Sequence, residues 1–127
     1  YDELFADIEN IITFDNWDQC LLTVLEKIYQ EKDFYISTIN TNEQYFYHDL
    51  YNLAQKCFYD AITKLDVNKT VSPQEKNFFS EFYAYGIAGT VLRWIKTNMK
   101  NEPAKLAHGL KKIATQSETF AASLLNN

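Results

Sequence analysis

The chain has 127 residues, of which 46% are hydrophobic and 16% aromatic, and its formal net charge is −5. This length and composition predict one ordinary domain with a single core rather than two domains. The excess of acidic residues argues against nucleic-acid binding by this chain alone, because nucleic-acid-binding proteins neutralise phosphates with clustered lysine and arginine.

The first half of the chain is predicted to be helical, because three glycines and two prolines in all leave little turn chemistry for paired strands. Apolar residues at helical spacing predict a short amphipathic helix over residues 2–12. Asp15 or Asn16 then caps a second helix, which ends at the charged Glu31-Lys32-Asp33. A brief helical piece follows over residues 34–39, before the polar break Asn40-Thr41-Asn42.

Two long helices are predicted next, and a third follows them. The first runs from Glu43 to about Leu65 and is rich in tyrosine and phenylalanine. After a polar connection, Ser72-Pro73-Gln74-Glu75 has the pattern of a capping box with proline at the first helical position, and this helix is expected to end near Met99. Asn101-Glu102-Pro103 opens a last helix to about Gln116, with a further short helix or a loose tail beyond.

Several classes of protein are not indicated by the sequence. No segment approaches the roughly 20 apolar residues of a membrane span, and the first residues lack a signal-peptide pattern. The only methionine is Met99, so we expect further sequence upstream. Cys20 and Cys57 lie within apolar helical patterns, which favours reduced, buried thiols in a cytoplasmic protein; a disulfide or a metal site is the alternative.

The sequence contains no recognisable set of catalytic residues. His48 and His108 lack the carboxylate or second histidine that helical metal motifs place one turn away. Nucleophile elbows and phosphate-binding loops are also missing from the sequence. The sequence therefore predicts no enzyme, no metal site and no cofactor.

The segment from Phe82 to Leu92 is the most informative one, because it is apolar on nearly every side. A helix of this kind must be covered all round, yet a helix in a small bundle normally keeps a solvent face. We therefore predict that one face meets a two-fold copy of the chain, while a plain central core helix is the alternative. The predicted interface combines one face of this helix with the last helix: Ala84, Ile87, Ala88, Val91, Ile95, Leu106, Leu110 and Ile113.

Two glycines, Gly86 and Gly89, lie within this same helix, where each costs about 0.5 to 1 kcal/mol relative to alanine. With Phe79, Phe82 and Arg93 they would share the face opposite the predicted interface. Either a neighbouring helix packs closely over the glycines or a ligand occupies the space above them.

The pattern Phe82-Tyr83-x-Tyr85-Gly86-Ile87-x-Gly89, followed by Arg93-Trp94-Ile95-Lys96, Met99-Lys100 and Pro103-x-x-Leu106-Ala107, resembles a known family. It is similar to the C-terminal regulatory domain of TetR-family transcriptional regulators, in particular the subgroup that includes the dihydroxyacetone-kinase operon activators. Asp33-Phe34-Tyr35 and the long aromatic helix that follows resemble the preceding part of the same domain.

The resemblance implies that residues 1–127 form one effector-binding and dimerisation domain, whose parent protein binds operator DNA through an N-terminal helix-turn-helix domain absent from this chain. The fold would be a single all-α bundle of five to seven helices, with the last two long helices forming a four-helix bundle in a homodimer. An effector entering between helices would shift the two DNA-reading domains of the dimer. The alternative is a ligand-free protein-interaction module of a co-activator.

The expected effector is a medium-sized apolar or aromatic molecule in a mainly apolar cavity of a few hundred Å³. The residues expected to contact it are aromatic or amphipathic: Trp17, Leu21, Tyr35, Phe46, Leu50, Tyr51, Phe82, Tyr85 and Gly86.

Overall fold

A computed structural model describes residues 16–66 and 68–125, and this part of the chain contains helices and no strand. The helices are α1 (Trp17–Gln30), α2 (Lys32–Leu65), α3 (Pro73–Lys96) and α4 (Pro103–Leu125). The all-α prediction is confirmed for these residues. The helix predicted over residues 2–12 lies outside them, and the predicted total of five to seven helices and the dimer bundle stay predictions.

Helix α1 has the amphipathic pattern that the sequence predicts. Its buried residues recur every three or four positions, which turns one continuous stripe toward the core. Asp18 in the first turn and Lys27 in the last turn complement the helix dipole. The buried stripe consists of Trp17, Cys20, Leu21, Val24, Leu25 and Ile28.

Helix α2 bends at the position where the sequence predicts a break. Asn42 has φ −133° and ψ 39°, outside the helical region, while the helix continues on both sides. Just before it, the hydroxyl of Thr41 donates to the carbonyl oxygens of Ser37 and Thr38 at 3.2 and 3.3 Å. Such side-chain bonds compete with the backbone ladder and bend helices. The polar run therefore produces a kink and not a separate loop.

The connection from α2 to α3 closes around Asp66, whose carboxylate is buried. Its two oxygens accept hydrogen bonds from the backbone N–H groups of Thr70 at 2.9 Å and Val71 at 3.0 Å. Burial alone would raise the pKa of this carboxyl, but the backbone donors of Val71 and Thr70 and the charge of Lys76 outweigh burial and lower the pKa. Asp66 therefore holds the turn in its charged form.

Helix α3 begins with the capping box that the sequence predicts. The Glu75 backbone N–H donates to the Ser72 hydroxyl oxygen at 3.1 Å, and the Ser72 N–H donates to the Glu75 carboxylate at 3.3 Å. Pro73 occupies the first turn, where its missing N–H costs nothing. These contacts fix the start of α3.

The end of α3 is a Schellman turn. The N–H of Met99 donates to the carbonyl oxygen of Trp94 at 2.8 Å, and the N–H of Asn98 donates to that of Ile95 at 3.1 Å. Asn98 and Met99 both have positive φ, at 66° and 52°. Met99 is only 1% exposed, so its buried side chain compensates for an unfavourable backbone. The sharp turn directs the chain into α4.

The helices pack as two pairs, α2 with α3 and α1 with α4. Helices α2 and α3 run antiparallel. The Gln55 amide, late in α2, donates to the Ser80 hydroxyl, early in α3, at 3.1 Å, whereas Lys96 at the end of α3 forms a salt bridge with Glu43, earlier in α2. Between α1 and α4, Lys111 contacts Asp18 at 2.9 Å. Helix α4 continues without interruption to Leu125, whereas the sequence predicts a helix to about Gln116 followed by a further short helix or a loose tail.

Candidate effector cavity and dimer face

A small cavity of about 40 Å³ lies where α1, α2 and α3 meet. Its walls are apolar side chains and two cysteine thiols. They are Trp17, Cys20, Leu21, Val24, Leu50, Leu53, Ala54, Cys57, Phe58 and Ile87. The cavity accommodates a compact apolar group and offers it no charged partner.

This cavity is much smaller than the few hundred Å³ expected from the aromatic content. The reason is that the large rings fill the space themselves. Phe58 lies 5.9 Å from the ring of Trp17 and 5.3 Å from that of Tyr83. Phe46 is completely buried, with its ring 6.2 Å from that of Tyr35. The aromatic side chains build the core more than they line a ligand site.

The two cysteines in the cavity wall are free thiols. Burial, together with the charge of Asp60 and the neighbouring Cys20, raises the pKa of Cys57 to about 11. Burial and the Asp18 carboxylate also raise the pKa of Cys20, whose thiol donates to Asn16 Oδ1 at 3.8 Å. Protonated thiols are weak nucleophiles and poor metal ligands. Their contribution to the cavity is therefore that of small apolar side chains.

The nine residues predicted to bind an effector fall into three environments. Trp17, Leu21 and Leu50 line the cavity, and Tyr35 and Phe46 belong to the core next to it. The other four lie at or near the surface: Tyr51 is half-buried, while Phe82, Tyr85 and Gly86 are exposed.

The lining residues that the sequence prediction missed were detectable in principle. On α1 and α2 they lie one or two helical turns from the predicted ones and repeat their apolar pattern. On α1, the lining residues that were not predicted are Cys20 and Val24. On α2 they are Leu53, Ala54, Cys57 and Phe58, and on α3 there is Ile87.

Three tyrosines form a cluster where α2 meets α3. The ring centroid of Tyr51 lies 4.6 Å from that of Tyr85 and 6.5 Å from that of Tyr47. Burial, the Glu81 carboxylate and the hydrogen-bonded Tyr85 raise the pKa of Tyr51 to about 12. The phenol is therefore neutral at physiological pH, and the cluster holds α2 against α3.

The inner face of α3 is the one that the sequence analysis assigned to the dimer. Ala84, Ala88 and Val91 have no exposed surface, and Ile95 and Ile87 are 1% and 8% exposed. The chain's own core already covers these residues, so they have no surface left for a second copy. This burial corrects the assignment: the face rich in small and branched residues packs inside the domain.

The opposite face of α3 is free within the described chain, and we call it the outer face: Phe78, Phe79, Phe82, Gly86, Gly89 and Arg93. Phe78 and Phe82 are 71% and 60% exposed, and Phe79 is 41% exposed. A Cβ atom built at Gly86 or Gly89 would meet no neighbouring group within 4 Å. Among residues 16–66 and 68–125, no neighbouring helix packs closely over these glycines, and the space above them is open.

The residues that α4 was predicted to supply to a dimer are divided between core and surface. Leu110 is buried, Leu106 is half-buried, and Ile113 is 63% exposed. Lys111, next to Leu110, forms a salt bridge with Asp18 of α1. Of these residues, Ile113 has the most surface to offer a partner.

The described residues contain no group of three or more histidine, cysteine or acidic side chains able to hold a metal ion. Among the same residues, no helix is long and apolar enough to cross a membrane.

Comparison with known families assigns the domain. Residues 15–116 match the family described as transcriptional regulator C-terminal region, of TetR type. The chain belongs to this family. A search of the curated proteins finds no match. The resemblance seen in the sequence is thus confirmed for the TetR-type C-terminal region, while the narrower subgroup of dihydroxyacetone-kinase operon activators is not.

Proposed function

We propose that the chain is the regulatory domain of a transcriptional regulator that dimerises through the outer face of α3 and senses a small apolar or aromatic molecule. DNA binding would belong to an N-terminal helix-turn-helix domain of the parent protein, and the protein would act in the cytoplasm, where it meets its operator. No catalytic role is included in the proposal, because the family is one of regulators.

The observation that carries the dimer proposal is the combination of exposed phenylalanines with two helical glycines. Gly86 and Gly89 weaken α3, and a Cβ atom at either position would not crowd any group of the part of the chain that the structure describes. Glycine on a helix surface lets a second helix approach closely, and the phenyl rings of Phe79 and Phe82 supply apolar area beside it. A second copy of α3 explains both features at once.

The expected interface would bury on the order of 2,000 Å² in total, at the upper end of the range for standard interfaces between folded proteins. The isologous geometry of a two-fold dimer brings the same surface of each copy together. Arg93 at one end of the outer face would then lie at the polar rim. Ile113 of α4 is exposed and is a candidate for the same interface.

Sedimentation equilibrium at micromolar concentration tests the dimer. Phe82→Glu places a carboxylate on the outer face of each copy, so the dimer should dissociate. Asn52→Glu, at an exposed position of α2, adds the same charge elsewhere and should leave the dimer intact. A monomeric unmodified chain, or a Phe82→Glu variant that stays dimeric, would place the interface elsewhere.

The effector proposal uses the cavity at the junction of α1, α2 and α3. The cavity lies at the boundary between α1 and α2, which is loosely packed because α1 contacts mainly α4 and makes much less contact with α2. Moving α1 away from α2 would enlarge the cavity and break few contacts. Because the walls carry no charged group, an uncharged apolar effector is favoured over a polar one.

Xenon and benzene probe this cavity at two sizes. Xenon is the more compact, whereas an apolar cavity that takes benzene measures about 150 Å³, so benzene tests whether the space between α1 and α2 widens beyond about 40 Å³. Benzene should raise the melting temperature of the unmodified chain, and xenon should appear in the cavity in crystals under pressure. Ala54→Val fills part of the space and should reduce both effects. If neither probe binds, the alternative of a ligand-free interaction module is favoured, because the dimer face does not depend on the cavity.

A further inference from the structure

A second and larger cleft, of about 280 Å³, lies at the surface between the C-terminal half of α1 and the start of α4. It is separate from the apolar cavity and from the outer face of α3, with which it shares no residue. Its walls are Leu22, Glu26, Tyr29, Gln30, Glu102, Pro103 and Ala104. The volume is close to the lower end of the range for small-molecule sites.

The cleft combines apolar side chains with two negatively charged carboxylates. Glu26 comes from α1 and Glu102 is the residue before α4. The seven lining residues include no lysine or arginine, and a basic group beside them is that of Lys32, whose ammonium lies over the ring of Tyr29. Leu22, Pro103 and the ring of Tyr29 supply the apolar surface. The whole chain is acidic as well, with a formal charge of −5. Electrostatics therefore favour a cation here and disfavour an anion.

Tyr29 shows that a cation is favourable beside this wall. The ammonium nitrogen of Lys32 lies 5.1 Å from the centroid of the Tyr29 ring, within the range of a cation–π contact. The ring itself is held in place by stacking on Trp94, with centroids 6.3 Å apart and planes 15° apart. The chain thus already places one ammonium group against the aromatic wall of the cleft.

We propose that this cleft binds a small organic cation, a primary ammonium group on a short apolar or aromatic body. The ammonium is attracted by the carboxylates of Glu26 and Glu102, and the apolar body contacts Leu22, Tyr29 and Pro103. A neutral analogue keeps only the apolar contact, and an anionic one is repelled. With walls this open, the dissociation constant is on the order of millimolar for a ligand of about ten heavy atoms.

Binding at this cleft connects three helices. The indole N–H of Trp94, near the end of α3, donates to the carbonyl oxygen of Asn101 at 2.9 Å. Asn101 precedes Glu102 of the cleft wall, and Trp94 stacks on Tyr29 of the other wall. A ligand that contacts both walls therefore stabilises α1 against the turn between α3 and α4.

The test uses three probes of nearly the same shape and different charge: 2-phenylethylammonium, 2-phenylethanol and phenylacetate. Titrations of the unmodified chain are followed by amide chemical-shift changes in NMR. The cation should bind with saturable shifts at Leu22, Tyr29 and Ala104, and added salt should weaken it. The alcohol should bind more weakly and the acid not measurably. Equal binding of the cation and the alcohol overturns the proposal.

Variants then locate the site. Glu26→Gln and Glu102→Gln should each raise the dissociation constant about two- to fivefold, the range for an exposed charge pair. Lys32→Gln removes the competing ammonium and should lower the dissociation constant. Glu81→Gln on α3 makes the same chemical change outside the cleft and should have no effect. If Glu26→Gln and Glu102→Gln bind the cation as tightly as the unmodified chain does, the cation is not held by this cleft.

Discussion

Replacing the two glycines of the outer face with alanine separates the stability of the chain from its association. Gly86 and Gly89 lie inside α3, and an added Cβ meets none of the groups that the structure describes within 4 Å. In a monomer, Gly86→Ala and Gly89→Ala should each raise the free energy of unfolding by about 0.5 to 1 kcal/mol. At a slope of about 1.5 kcal/mol per M urea, the unfolding midpoint moves up by roughly 0.3 to 0.7 M.

The same substitutions should weaken a dimer that packs over the glycines. A methyl group forced into a close-packed contact costs about 1 to 3 kcal/mol, so the dissociation constant should rise roughly five- to 150-fold per site. Urea unfolding at a concentration below the dissociation constant measures the first effect, and sedimentation equilibrium measures the second. Asn52→Ala, at an exposed position of α2, is the control, because it raises helix propensity away from the outer face.

Two results would refute this reasoning. If Gly86→Ala destabilises the monomer, some part of the chain approaches the glycine more closely than the described residues show. If both alanine variants stabilise the monomer and the dimer dissociation constant is unchanged, the partner does not pack over Gly86 and Gly89. The glycines would then be unexplained by dimerisation.

Three further predictions concern the turns and the core. Asn98→Gly should raise the unfolding free energy by up to about 1 kcal/mol in urea titrations, because Asn98 has φ 66° and glycine adopts this conformation without strain; a lower value would contradict the Schellman turn. The lowered pKa of Asp66 stabilises the fold at pH values above the unfolded carboxyl's pKa of 3.8, and this contribution is lost as the pH falls below that value toward the folded pKa. Asp66→Asn should therefore lower the melting temperature at pH 7 and leave little difference near pH 2; an equal loss at both pH values would show that the charge of Asp66 is unimportant. Cys57, with a pKa of about 11, should react with a thiol reagent at pH 8 only as fast as the chain opens, since about one thiol in a thousand is ionised; rapid labelling of the folded chain would contradict its burial.

Local patterns in the sequence predict much of this fold. The capping box at Ser72 and the proline at Pro103 give the first turns of α3 and α4 directly, because each requires only neighbouring residues. The apolar stripe of α1 predicts its buried face for the same reason. The polar run before Asn42 marks the kink in α2, although the sequence alone does not distinguish a kink from a break.

The sequence failed where the answer depends on which helices become neighbours. Residues of α3 were correctly divided into two faces, yet small residues such as Ala84 and Ala88 suit a close contact inside the core as well as one between copies. Only the position of α2 beside α3 decides between these. The size of the cavity likewise depends on how far the rings of Phe46 and Phe58 fill the core. Helical spacing does not determine the direction of these rings.

The central claim, that a second copy covers the outer face of α3, is tested most directly by hydroxyl-radical footprinting across a concentration series. Phe79 and Phe82 should be oxidised in dilute samples and become protected as the dimer forms. Tyr45 and Phe34 of α2, 71% and 51% exposed, should be oxidised equally at all concentrations. If sedimentation shows a dimer while Phe79 and Phe82 remain as reactive as in the monomer, the outer face is not the interface.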